Sequence, residues 1–141
     1  MQSFVTKTPE ETSALGRRLG AALRTGDVVA LRGAMGAGKT AFVRGLALGL
    51  GLDDQVSSPT FALIHEYRNG PHRLCHMDMY RIRSLDDAES AGFFDYLDGS
   101  WIVAAEWSEN IKAALPGDAV IVAIEIVDEA VRRIDIGGIE L

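Results

Sequence analysis

Arg32-Gly-Ala-Met-Gly-Ala-Gly-Lys-Thr-Ala-Phe42 sets three glycines and a lysine between two apolar runs. Its centre, Gly33 to Thr40, satisfies G-x-x-x-x-G-K-[ST] at every position. At average residue usage that pattern arises by chance in about one chain of this length in two hundred. The flanks supply the context it needs. Val28 to Leu31 is a short apolar, partly β-branched run, the pattern of a buried strand. Phe42, Val43, Leu46, Ala47 and Leu50 recur at helical spacing and predict a helix that ends before Gly51. Strand, glycine loop, helix is the order in which backbone N–H groups turn toward phosphate oxygens and a helix N-terminus adds partial positive charge. Gly36, Ala37, Gly38, Lys39, Thr40 and Ala41 are therefore the candidate nucleotide-binding residues. Lys39 is expected to reach the β- and γ-phosphates, and the Thr40 hydroxyl to ligate Mg²⁺.

Working outward, Gln2 to Val5 reads as a short strand. Thr8-Pro-Glu-Glu11 reads as a capping box with proline at the first helical position. Leu15, Leu19 and Ala22/Leu23 then mark a helix with one buried stripe, expected only to pack, which Thr25-Gly-Asp27 stops. Beyond the glycine loop, Phe61 to Tyr67 and Arg73 to Met77 are strand-like and flank the hairpin signal Asn69-Gly70. Ser84 caps a short acidic helix through Ala91, and Phe93, Phe94 and Leu97 supply apolar cover. Trp101 to Ala105 is a buried strand ending at Glu106, and Ser108 to Leu115 a short helix. Ala119 to Val127 and Val131 to Ile136 form a final hairpin. The mixture of β-α-β units and hairpins predicts an α/β fold. Its expected form is a P-loop NTPase-like mixed sheet sandwiched by helices, with antiparallel hairpins, over a single domain spanning 1–141.

Composition narrows the classes. Of the 141 residues, 48% are apolar and 24% charged, which suits a globular domain with a real core. No apolar run reaches membrane-spanning length, and Met1 to Lys7 does not resemble a signal peptide, so a soluble, cytoplasmic protein with no membrane contact is expected. The lone cysteine, Cys75, suits a reducing compartment and reads as strand filler. The net charge of −6 argues against a broad nucleic-acid face, but it is unevenly spread. Through Arg83 there are 11 Lys/Arg against 7 Asp/Glu, a net +4, and from Ser84 onward 3 against 13, a net −10. The acidic half is compatible with a protein partner.

A phosphate loop of this kind needs a carboxylate near Thr40 to complete a metal shell and orient water. Glu106 and Asp78 each follow an apolar run, and acids at strand C-terminal ends border the ligand crevice of open α/β sheets. The residues alone leave open which is base and which is metal ligand. His76 shares a strand face with Asp78 at spacing two, and reads as a packed histidine or as a partner of Asp78. Thr60, in Ser57-Ser-Pro-Thr60, is a candidate switch-like hydroxyl that senses the γ-phosphate.

Together these pieces resemble the TsaE (YjeE) family, P-loop ATPases of tRNA threonylcarbamoyladenosine biosynthesis. The matching elements are Gly33 to Thr40, Phe42-Val-Arg-Gly-Leu46, Val56-Ser-Ser-Pro-Thr-Phe61, Tyr67, His76-Met-Asp-Met-Tyr-Arg81 and Glu106-Trp-Ser-Glu109. Ala41 and Ser108 depart from the commoner Thr and Pro. The resemblance implies ATP as substrate and Mg²⁺ as cofactor, with Thr40 and Glu106 as its protein ligands. It also implies Lys39, Asp78 and Glu106 as catalytic residues, Asp78 at the hydrolytic centre, Thr60 as the switch-like threonine and Trp107 near the site. It implies TsaD and TsaB as partners, tRNA being engaged indirectly through that complex. In the last hairpin Arg132 or Arg133 is a candidate base contact, and the sequence does not choose between them. Two other classes fit the same loop: a small-molecule kinase, which would need an acceptor pocket and an arginine-bearing lid, and a nucleotide-gated binding module with incidental hydrolysis.

Overall fold

The structure, a computed structural model, describes residues 1–52, 64–68, 70–79, 82–106 and 115–141. In chain order the elements are β1 (Gln2–Thr6), α1 (Pro9–Ala22), β2 (Val28–Gly33), α2 (Lys39–Gly49), β3 (Ile64–Tyr67) and β4 (Leu74–Asp78). They are followed by α3 (Leu85–Ser90), a 3-10 turn (Phe93–Tyr96), β5 (Ile102–Glu106), β6 (Val120–Ile126) and β7 (Arg132–Gly137). The strands form one sheet in the order β1-β7-β6-β2-β5-β4-β3. The four central strands β6, β2, β5 and β4 run parallel, and antiparallel hairpin partners close both flanks. The expected mixed sheet with terminal hairpins is what forms.

Val28 to Leu31, Leu74 to Met77 and all of β5 are buried. Central parallel strands are covered on both faces, which is why these runs are apolar on both faces, with His76 and Glu106 as the buried polar exceptions. On one face α1 and α2 pack over Val29, Leu31, Leu74, Ile102, Ala104, Ile134 and Ile136. On the other, α3 and the 3-10 turn bring Ala88 and Phe93 against Val28, Cys75, Met77, Val103 and Ala105. Cys75 is fully buried strand filler, as its neighbours suggested.

The helix ends follow from local chemistry. Thr8 caps α1, its hydroxyl accepting the Glu11 N–H at 3.1 Å, with Pro9 in the first turn. The Glu11 carboxylate reaches one residue further back than a standard capping box, accepting the Lys7 N–H at 2.9 Å. Ser84 caps α3 in the same way, accepting the Asp87 N–H at 3.1 Å.

The two long helices meet through glycine, a feature that apolar spacing does not announce. A methyl group at Gly16 or Gly20 of α1 would overlap the carbonyls of Phe42 and Leu46 in α2. A methyl at Gly45 or Gly49 of α2 would overlap those of Ser13 and Arg17 in α1. Two G-x-x-x-G spacings thus face each other, letting the backbones approach while Leu15, Leu19, Phe42 and Leu46 fill the core on either side. That close crossing fixes α2, and with it the glycine loop at its start, against the sheet.

Candidate nucleotide site

β2 delivers the glycine loop to the C-terminal end of the parallel strands. Gly36 and Gly38 take φ of 81° and 110°, the left-handed region open to glycine, and so bend the chain from strand to helix. The Ala37 N–H donates to the Ala34 carbonyl at 3.0 Å inside the loop. Gly38 is the N-cap of α2 and offers no side-chain cap, so the first-turn amides lie beyond the helix's own carbonyls. An anion suits that position. Lys39 opens the helix, and its Nζ donates to the Gly33 carbonyl at 3.0 Å, holding the ammonium beside the loop. Thr40 follows it in the first turn.

The two acids come together through sheet register. Asp78 and Glu106 are direct partners across the parallel pair β4–β5, and Glu106 pairs with Leu31 on β2, two residues before the glycine loop begins. Partnered residues share a sheet face, so both acids lie on the side covered by α2. Glu106 is 6% exposed. His76, fully buried, donates from Nε2 to Glu106 Oε2 at 3.2 Å. Among the described residues its Nδ1 has no hydrogen-bond partner, so the histidine pairs with Glu106 and not with Asp78. The shared-face geometry was legible in the spacing of two; the partner was not, because it comes from the neighbouring strand.

The donor set fits magnesium of the substrate-assisted kind. Among the described residues no group of three or more His, Cys, Asp or Glu side chains is arranged to hold a metal ion. Mg²⁺ bound with phosphates needs no such cage: one or two protein ligands suffice, the rest being phosphate oxygens and water. The Thr40 hydroxyl and the Asp78 and Glu106 carboxylates are groups of that chemistry at this end of the sheet.

A cleft of about 260 Å³ adjoins the loop, touching Gly36, Ala37, Gly38 and Ala41, four of the six candidate nucleotide-binding residues. Its other walls are Thr8, Pro9 and Thr12 from the start of α1 and Glu129, Ala130 and Arg132 from the β6–β7 hairpin. A wider, open groove of about 690 Å³ runs past Arg32 and the Arg133–Glu125 ion pair and touches none of the six. α1 was expected only to pack, yet its first turn forms part of the cleft. Thr12 is 2% exposed there, its hydroxyl 2.7 Å from that of Thr6.

The structure also separates the two hairpin arginines. Ile134 and Ile136 face the α1–α2 core, and strand alternation puts Arg132 on that same side and Arg133 on the other. Arg132 accordingly reaches the glycine loop, while Arg133 pairs with Glu125 at 2.8 Å and Asp135 at 3.5 Å. Alternation in the sequence separates the two faces, but which face meets the glycine loop comes from the packing of β7. Thr60, Trp107 and the expected helix from Ser108 lie outside the described residues, as do the first three residues of the strand expected from Phe61, whose remainder is β3.

Fold and site define an α/β protein whose parallel strands deliver a glycine loop, a lysine and two acids to one end of a mixed sheet. Within that class the chain belongs to the TsaE family. The family model described as "Threonylcarbamoyl adenosine biosynthesis protein TsaE" matches residues 6–134. A Treponema pallidum protein named "tRNA threonylcarbamoyladenosine biosynthesis protein TsaE" is 38% identical over 132 residues, spanning 94% of this chain and 97% of its own. A Bacillus subtilis protein of the same name is 40% identical over 129 residues, spanning 92% and 80%. The crystal structure of Bacillus subtilis YdiB superimposes with a TM-score of 0.76 at 34% identity, covering 94% of this chain and 82% of that one. Among the described residues no helix is long and apolar enough to cross a membrane.

Proposed function

We propose that this chain is a cytoplasmic ATPase that supports threonylcarbamoyladenosine formation at position 37 of tRNA. It would do so as an accessory factor to the TsaD–TsaB threonylcarbamoyl-transferase pair, without transferring the group itself. The family membership supports the pathway. The observation that carries the chemistry is the register of Asp78 with Glu106, which sets two carboxylates at adjacent strand ends on the face where α2 begins.

In this reading the glycine-loop amides and Lys39 grip the β- and γ-phosphates. The acids lie on the β5–β4 side of β2 and the cleft on its β6–β7 side. The γ-phosphate therefore points toward Asp78 and Glu106, and the nucleoside toward the cleft. Thr40 and Glu106 would hold Mg²⁺, which when bound neutralises charge on the transferring phosphoryl group. His76 keeps one oxygen of Glu106 engaged and so fixes how the carboxylate presents the other. Asp78 orients the attacking water and receives its proton.

The test is hydrolysis by the purified chain, followed by tRNA modification in the complex reconstituted with TsaD and TsaB. Lys39→Ala should abolish ATP binding or turnover, and Glu106→Ala should weaken the dependence on Mg²⁺. Hydrolysis unchanged by Lys39→Ala overturns the assignment. Sustained multiple turnover of tRNA modification with a non-hydrolysable ATP analogue would instead make the chain a nucleotide-gated binding module.

A further inference from the structure

Arg132 spends its guanidinium on backbone. Its Nε donates to the Ala37 carbonyl at 3.1 Å and its Nη2 to the Gly36 carbonyl at 3.4 Å, both across 95 or more residues of chain. Its Nη1 lies 2.9 Å from the Asp128 carbonyl, 3.2 Å from that of Glu129 and 3.1 Å from that of Val131. The fork therefore grips the glycine loop with one edge and the β6–β7 turn with the other. These bonds lie in the guanidinium plane and fix its orientation beside the loop.

We propose that Arg132 is a positioning residue for phosphate binding, holding the Gly36 and Ala37 peptides in the orientation the anion needs. The proposal rests on the nucleotide-binding reading above and adds a requirement to it. A loop with glycines at Gly36 and Gly38 has many backbone conformations to lose on binding. In a planar trans peptide the carbonyl and the following N–H point in opposite directions. Drawing the Ala37 carbonyl toward Arg132 therefore turns the Gly38 N–H away from it and fixes that peptide plane before any ligand arrives. Ala37 to Ala34, Phe42 to Gly38 and Lys39 to Gly33 are local ties, and Gly33 at the loop's start is held in the ladder opposite Ile124 of β6. Arg132 adds a tie from β7 at Gly36 and Ala37, in the middle of the loop. Charged donors make the stronger kind of hydrogen bond to carbonyls, and the guanidinium adds positive charge beside an anion site. Lysine carries the charge but lacks the planar fork, so it cannot span both loop carbonyls and the turn at once.

The experiment compares wild type, Arg132→Ala, Arg132→Lys and Arg133→Ala in binding ATP and inorganic tripolyphosphate, with thermal midpoints recorded for each ligand-free chain. Titrations are run well below the lowest midpoint, so that the folded population is measured. Both Arg132 variants should lose about tenfold or more in affinity for both ligands, in parallel, while Arg133→Ala keeps both. Loss of ATP affinity with tripolyphosphate unchanged makes Arg132 a wall of the nucleoside cleft and overturns the proposal. A lower midpoint with both affinities intact makes it a staple of the hairpin and also overturns it. If Arg132→Ala does not fold, Arg132→Lys decides by the same comparison. A wild-type chain that binds neither ligand removes the nucleotide-binding reading, and the proposal falls with it.

Discussion

Gly45→Ala sets two effects of opposite sign against each other in the helix that carries the glycine loop. In an exposed helix interior the change stabilises by about 1 kcal/mol, because alanine is the better helix former. At Gly45 the new methyl group would overlap the Ser13 carbonyl, a backbone atom that no rotamer change can move aside. Relief requires α1 and α2 to part, loosening Leu15 and Leu19 against Phe42 and Leu46, all of which are buried. Overpacking of this kind costs about 1–3 kcal/mol, and a backbone obstacle puts this site at the upper end. The net expectation is a loss of about 2 kcal/mol, lowering the thermal midpoint by roughly 4–8 °C for a chain of this size. The assay is urea denaturation of wild type and variant followed by circular dichroism, with the same m-value checking that the unfolded states match. A variant as stable as wild type, or more so, refutes the close crossing of the helices. Because α2 starts at Lys39, the same displacement should weaken nucleotide binding.

Two further outcomes follow from buried polar chemistry. His76→Phe keeps a ring in the core but leaves the buried Glu106 carboxylate without its 3.2 Å donor. It should cost about 1.5–3 kcal/mol in urea denaturation and raise the Mg²⁺ concentration needed for half-maximal hydrolysis; an unchanged stability refutes the pairing. Burial pushes the Cys75 thiol up to about 12 from an ordinary 9.0. The folded chain then keeps a proton that the unfolded chain loses, so stability should fall as pH rises from about 9 toward 12. The hydrogen bond to Glu66 first, then burial, raises the Tyr96 hydroxyl to about 12 from 10.0, steepening the fall above pH 10. Cys75→Ala should flatten the first part of that decline in denaturant titrations at stepped pH, and a native thiol that reacts freely at neutral pH refutes its burial.

Much of the fold was legible because its signals are local. The glycine loop needs its neighbours in sequence, the caps Thr8 and Ser84 bond within three residues, and the hairpins follow from alternation around turn residues. The apolar runs of β2 and β5 announced buried strands. The acids Asp78 and Glu106 were readable as strand-end residues for the same reason. The cleft wall built by α1 was not readable, since the first turn of a helix carries no mark of what lies across from it. Nor was the glycine-to-glycine contact of α1 and α2, which depends on two separated spacings meeting in register.

By itself, then, the sequence determined what each segment is: a strand, a phosphate-type loop, a helix, and two carboxylates at strand ends, in an order matching one family. Hydrogen bonding within a turn or cap and periodic burial act over a few residues, so they are written where they act. Only the tertiary structure decided who meets whom. Sheet register aligned Asp78 with Glu106 and brought His76 to Glu106, and strand alternation gave Arg132 to the glycine loop and Arg133 to surface acids. Those pairings join residues far apart in the chain, and a one-residue change of register would have dissolved every one of them.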